Sequence, residues 1–471
     1  MNKSHILATT WLIGFPFSII FITSQLLLSK SETINNIGKR PRADDFKKRI
    51  DKENPESSHE SLRTAVNCSA EKIRQVKEQA KDEKGKRSVT IDCNLNLGPR
   101  DHITKRLIFE GPSATGVTLD CNRATIDCGR RYTVNYNKDM IEVRSTFTDT
   151  VINKKKIRLW QRPENVTIKG CNIIGAVRIW GMSRNGEGSG SEYNPPKYEP
   201  RNGMASEVTY FHESSRTPDH TKNARNNAPT NVVLDNVIIT GVGRNPLYFA
   251  PGVTNSKLIN SDLNGHSEKV AIYLDAESAY NMIENNFIHV RTEEDGFWQK
   301  TFGYNRGWPQ IAIDGSSWNK IIGNKFGELR NGGIYLYRNC GEGGVIRHTP
   351  PEHNEISNNT FLYKNYTGLN PAIYLNSRDY GWKEKEFGHC GADEGEQFGS
   401  SKSNKDHARY NTIKQNKFYE RKIYLGGVSI DATCDFTIRT KNKSADEPND
   451  IRDNIFVSQD EKKSRRCIMS N

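Results

Sequence analysis

The stretch IYLDAESAYNMIENNFI, residues 272–288, decides the fold. It holds two phrases. The first, Ile272-Tyr273-Leu274-Asp275, has apolar first and third members, so one side of a strand faces a core and the other side carries Tyr and Asp. The second runs from Asn281 to Phe287 and follows the pattern Asn-x-Ile-x-x-Asn-x-Phe, with asparagines where turns are expected. Both recur. The second phrase returns at Asn319–Phe326, Asn354–Phe361 and Asn411–Phe418, with looser copies starting at Asn165, Asn231 and Asn255. The first returns at 247–250, 311–314, 334–337 and 373–376, with a relative at 177–180. Steps between copies of the second phrase are 24, 26, 38, 35 and 57 residues, which fits a basic unit near 24 residues interrupted by insertions.

One such unit cannot bury its apolar face alone, whereas stacked units bury it against one another. Turn asparagines then form columns that bond along the stack. The spacing predicts a parallel β-helix solenoid. Leucine-rich repeats lack support, since their leucine spacing and helix formers are missing. A propeller needs four antiparallel strands per repeat and the hairpin turns to join them.

The chain around this repeat has 471 residues, 68 Lys and Arg against 56 Asp and Glu, and a net charge of +12. Only 34% is apolar, which argues against a thick-cored α/β enzyme and favours short strands with many turns. Residues 6–28 carry no charge over 23 positions and read as a signal peptide or an uncleaved membrane anchor. Either places the remainder outside the cytoplasm: secreted, periplasmic or envelope-anchored. Residues 31–60 hold seven basic and seven acidic residues and read as a solvated linker. Between 61 and 84, Leu62, Val66, Ile73 and Val76 recur at helical spacing and predict a short capping helix. The β-helix is expected over 85–431, and a polar, irregular tail over 432–471. None of the nine cysteines forms a CxxC pair, so zinc-ribbon and redox motifs lack support. Cys121 with Cys128 is the simplest local disulfide, and Cys434 with Cys467 a second, though spacing does not fix connectivity.

The stretches at 116–127, 177–181, 248–252, 270–278 and 333–340 resemble the right-handed parallel β-helix superfamily, which includes pectate lyases, polygalacturonases and alginate-modifying enzymes. They look most like bacterial exported β-helix repeat proteins. The likeness spans about residues 85–430 and implies an all-β, right-handed parallel β-helix. It does not imply a particular reaction, because fold does not fix function.

On such a solenoid the second and fourth members of the first phrase form two outward columns, with neighbours about 4.8 Å apart. One reads Arg178, Tyr248, Tyr273, Ala312, Tyr335, Tyr374. The other reads Trp180, Ala250, Asp275, Asp314, Tyr337, Asn376. Arg338 and Arg378 follow closely. Flat rings, carboxylates and guanidinium groups on one solvent-facing wall suit a sugar polymer. Trp180, Tyr248, Tyr337, Tyr374, Arg378 and His348 are the expected substrate contacts. Asp275 and Asp314, like charges on adjacent coils, suit a general acid beside a general base. With Glu277 they equally suit a bound cation, Ca2+ being the one in view, or a role capping turns. In an elimination, Arg338 or a cation neutralises a uronate carboxylate while Tyr273, Tyr335 or a loop histidine removes the ring proton. Insertions at 182–229, 291–309, 341–353 and 379–408 are expected to wall the cleft.

The positive charge suits an acidic polysaccharide. No nucleic-acid module is visible, and a membrane is engaged only through the N-terminal segment. The leading expectation is an exported lyase or glycoside hydrolase acting on an acidic glycan. The alternative is a non-catalytic β-helix scaffold of the cell envelope that binds glycan or protein.

Overall fold

The computed structural model describes residues 65–80, 87–127, 139–152, 155–181, 220–293, 307–338, 348–363, 370–376, 408–419, 422–425, 428–431, 437–440, 448–457 and 465–467. These residues form a right-handed parallel β-helix. Three long sheets run its length: sheets 1 and 2 have ten strands each and sheet 3 has twelve. Each coil contributes one strand to each sheet. The first phrase of the repeat supplies sheet 1, as in Ile272–Leu274 against Ile311–Asp314. The second phrase supplies sheets 2 and 3, as in Met282–Glu284 and Phe287–Ile288. Pairing is in register, so equivalent residues lie side by side.

The core follows from this register. Ile272, Leu274, Ile283 and Ile288 point inward and are fully buried, as are their counterparts in neighbouring coils. Phe326, Phe361 and Phe418 stack face to face, with ring centroids 4.7 and 4.9 Å apart. The two corners that bound sheet 2 are polar and buried. One column, Asn281, Asn319, Asn354, Asn411 and Asn449, passes a hydrogen bond from each backbone N–H to the next Oδ1. The other, Asn286, Asn324, Asn359, Asn416 and Asn454, does the same. The side-chain amides are satisfied too: Asn324 Nδ2, for example, donates to the Ile283 carbonyl and to Asn359 Oδ1. A corner that turns inward thereby meets its backbone demand without water.

Four expectations change. The N-terminal helix covers Ala70–Lys77, shorter than 61–84. Ser69 caps it by accepting from the Lys72 amide at 3.2 Å. Val66 lies before it in extended chain, tied to Asn94, so the apolar spacing continued past the point where the backbone is helical. The disulfides are Cys68–Cys93 and Cys121–Cys171. The second joins equivalent corners of neighbouring coils, which are distant in sequence but adjacent in the stack; this excludes a Cys121–Cys128 bond. The pairing of Cys434 with Cys467 lies outside the described residues. The coil does not stop at residue 431, because Ile438–Thr440, Asp450–Arg452 and Asn454–Val457 add a further strand to each sheet. Finally, antiparallel hairpins interrupt the coil at Thr146–Ile152 with Lys155–Gln161, and at Lys422–Leu425 with Val428–Asp431. No helix among the described residues is long and apolar enough to cross a membrane; residues 6–28 lie outside them.

Candidate functional site

The outer face of sheet 1 gathers most of the residues singled out from the sequence. Register places Arg178 beside Tyr248, Tyr248 beside Tyr273, Ala312 beside Tyr335, and Tyr335 beside Tyr374. The rings touch: Tyr248 and Tyr273 stack at 5.7 Å, Trp180 meets Tyr248 edge-on at 5.3 Å, and Tyr335 meets Tyr374 edge-on at 5.4 Å. Trp180, Tyr248, Tyr273, Tyr335 and Tyr374 are each partly exposed. They form a strip along the helix axis.

The acidic column was expected to face solvent, and it does not. Asp275 is 3% exposed and Asp314 is 0% exposed. Tyr337 and Arg338 are buried as well. The reason is that this face carries a second apolar cluster. Val270, Ala312 and Tyr337 pack there with Tyr273, Trp308 and Tyr335. Alternation along a strand sets which side of the sheet a residue takes, but it does not say whether other chain segments cover that side.

Burial is matched by hydrogen bonding. The Tyr248 hydroxyl donates to Asp275 Oδ2 at 2.5 Å, and Asp275 Oδ1 accepts from the Ala276 amide at 2.8 Å. The Tyr273 hydroxyl donates to Asp314 Oδ2. The same device therefore appears twice, one coil apart: a half-exposed phenol whose proton points at a buried carboxylate of the next coil.

Glu277 has a different role from the cation ligand expected of it. Its backbone adopts φ 63° and its side chain is buried. Oε1 accepts from the His348 amide at 2.5 Å, and Oε2 accepts from the Thr221 hydroxyl at 2.5 Å. The Arg225 guanidinium donates to its carbonyl at 2.8 Å. Glu277 thus anchors the helix His220–Asn227 and the segment at His348–Thr349 to the coil. It is His348's backbone amide that is placed here. Gly315 makes this approach possible. Its φ is +58°, and a Cβ there would sit 2.9 Å from the Thr349 carbonyl and 3.3 Å from the Arg338 stem. Among the described residues no three His, Cys, Asp or Glu side chains gather as a metal site. Arg378 lies outside the described residues.

The first coils add a charged cluster that was not expected. Asp139, buried at the start of the strand Asp139–Arg144, accepts from Arg178 Nε at 2.9 Å and from Arg244 Nη1 at 3.1 Å. Glu142, which faces Arg178 across the strand pair, is held by Arg106 at 3.0 Å and Arg144 at 3.2 Å. Burial pushes the Glu142 carboxyl up, against the pull of Arg106 and Arg144. Burial likewise pushes the Arg178 guanidinium down, with Asp139 opposing. Trp308 was also missed. It belongs to an insertion with no repeat to mark it, and Lys269 Nζ lies 4.9 Å over its ring.

No protein-family profile matches the chain, and no curated protein matches it. Solved structures with likeness to it are distant. They include ORF18 of Geobacillus virus E2, at 11% identity and TM-score 0.30, covering 82% of this chain and 56% of that one. PfbA, a surface adhesin of Streptococcus pneumoniae, has 12% identity and TM-score 0.34, covering 81% and 80%. Alginate lyase AlyF-OU02, solved in complex with G6, has 12% identity and TM-score 0.28, covering 84% of each. The chain spans little more than half of the viral protein.

Proposed function

We propose that the outer face of sheet 1 binds an acidic glycan along the strip of Trp180, Tyr248, Tyr273, Tyr335 and Tyr374, and that Tyr273 transfers protons during its cleavage. The observation that carries this reading is the paired arrangement of half-exposed tyrosines bonded to buried aspartates. A carboxylate at 0% exposure does not reach a glycosidic oxygen directly, and this disfavours Asp275 and Asp314 as the acid and base around a hydrolytic water. Tyr273, which keeps solvent exposure, reaches substrate. Asp314 accepts its phenolic proton, so the phenol oxygen is left basic as it takes the ring proton beside a uronate carboxyl group. The bond to the leaving oxygen then breaks, and the proton returns through the phenol to that oxygen. This is a β-elimination with Asp314 as the positioning and proton-holding group. Two disulfides support an oxidising compartment and hence an exported protein.

A second reading rests on the same burial. Asp275 and Asp314 then serve only to lock the tyrosine rings for binding, and the protein retains glycan without cutting it. Incubation with a panel of uronate polymers separates the two. A lyase releases products with unsaturated ends that absorb in the ultraviolet, and a hydrolase releases reducing ends only. Retention of polymer with no product of either kind rules out the catalytic reading.

A further inference from the structure

The corner between sheets 1 and 2 turns through a left-handed residue in coil after coil. Gly116, Asn165, Asn231 and Asn255 hold the position first, with φ from 53° to 75°, and Tyr280, Trp318, His353 and Tyr410 hold it next, with φ from 53° to 60°. The stack imposes this conformation. The Tyr280 amide donates to the Ser317 carbonyl at 3.2 Å and the Trp318 amide to the Glu352 carbonyl at 3.1 Å, so each N–H is spent on the following coil. Glycine and asparagine accept such a φ readily, whereas a bulky side chain is strained by it. Four coils therefore carry rings where the coils before them carry residues that fit with less strain. Strain kept where an ordinary residue would serve the fold points to a function.

The rings line up along the axis. Tyr280 and Trp318 stack at 6.2 Å, Trp318 and His353 at 4.1 Å, and His353 and Tyr410 at 5.4 Å. Arg225 lies 5.9 Å over the Tyr280 ring at one end, and Arg409 lies 5.7 Å over the Tyr410 ring at the other. None of the four rings joins the apolar core. Tyr280, Trp318 and His353 are partly exposed and Tyr410 is 38% exposed, so the row meets solvent as it stands. It spans three coil steps, about 14 Å, in the same coils as Tyr273, Asp314, Tyr335 and Tyr374.

We propose that Tyr280, Trp318, His353 and Tyr410 form a second glycan-binding row, which holds a further stretch of the polymer that the sheet 1 strip engages. The inference rests on the glycan reading above and adds a site outside the proton-transfer residues. A polysaccharide suits the row because it is itself an extended series of rings, each with apolar C–H surface and hydroxyl groups. The row offers a complement to both: offset aromatic surface, and the N–H and O–H groups of its Tyr, Trp and His side chains. Running parallel to the strip in the same coils, it gives a long polymer two points of attachment, and its affinity then exceeds that of either row alone.

The test titrates the full chain with polygalacturonate and with alginate, for wild type and for a variant carrying Tyr280→Asn, Trp318→Asn and Tyr410→Asn. Asparagine is what the preceding coils use at this corner, so the turn is kept while the rings are lost. The expected result is about a tenfold loss of affinity for whichever polymer wild type binds, with a melting temperature equal to or above that of wild type. Unchanged affinity overturns the assignment and leaves the sheet 1 strip standing. A melting temperature lowered by several degrees also overturns it, because the rings are then a structural cover. If wild type binds neither polymer, the glycan reading itself fails and this inference falls with it. Should the variant not fold, wild type carrying isotope-labelled histidine decides. A shift of the His353 ring resonance, identified by its loss in His353→Asn, is expected on adding the bound polymer, and no shift overturns the assignment.

Discussion

Sheets 1 and 2 share one backbone plan and differ in what covers them. Both are ten parallel strands in register with aliphatic residues turned to the core. The outer face of sheet 2 carries short ion pairs such as Lys169 with Asp120 at 3.0 Å and Lys414 with Glu355 at 2.9 Å, all partly exposed. The outer face of sheet 1 carries buried Asp139, Glu142, Arg178, Asp275, Asp314 and Arg338. Charges left in water add little to stability in either direction. Charges taken out of water cost several kcal/mol each unless partnered, and their accumulation on one face is the contrast on which the proposed function rests.

The comparison breaks most visibly at Asp139. Asp139→Ala leaves Arg178 buried without its counter-ion and is expected to destabilise the fold by about 3–5 kcal/mol in chemical denaturation. A loss below about 1 kcal/mol, the range of exposed pairs, would mean that sheet 1 is as well solvated as sheet 2. Next in size is Tyr273→Phe. With the glycan polymer that wild type cuts, it is expected to lower product release by about 10²–10⁴-fold while the melting temperature shifts by a few degrees at most. Full activity in this variant removes Tyr273 from the chemistry.

The corners that frame sheet 2 come third. Asn324→Ala removes bonds to the Ile283 carbonyl, to Asn359, and from the Asn286 amide. An expected cost of about 1–3 kcal/mol, read from the denaturation midpoint, sets the scale for a neutral buried polar group against the charged ones of sheet 1. The smallest effect belongs to sheet 2's open face. Lys414→Ala is expected to cost at most about 1 kcal/mol, less at high salt. Burial alone would raise the Glu355 carboxyl, but hydrogen bonds from Lys414 and Ser357 hold it below its ordinary 4.5. A lowered folded value means the contribution is present above about pH 4.5 and fades as pH falls through the folded value. The gap between wild type and Lys414→Ala should close in acid, measured as melting temperature against pH.

What was legible in the sequence was whatever repeats. Period-two alternation in 272–275 and its copies gave sheet 1, and the asparagine phrase gave both corners of sheet 2. The neighbours Arg178, Tyr248 and Tyr273, and the pair Tyr335 and Tyr374, followed from the same register, whereas the bond from Tyr273 to Asp314 did not. Burial of Asp275 and Asp314 was not legible, because alternation fixes only the side of the sheet, and the second apolar cluster on that side draws Trp308 from an insertion with no period to place it. The Cys121–Cys171 bond was hidden for a related reason: its partners sit at equivalent corners that are 50 residues apart. Asp139 gave no local signal, since its partners Arg178 and Arg244 lie 39 and 105 residues away.

The most direct test is a crystal structure of the full-length protein with a bound oligogalacturonate. Sugar rings lying along Trp180, Tyr248, Tyr273, Tyr335 and Tyr374 on sheet 1 are expected. Sugar bound instead on the outer face of sheet 2 or sheet 3 would contradict the assignment of this face as the functional one.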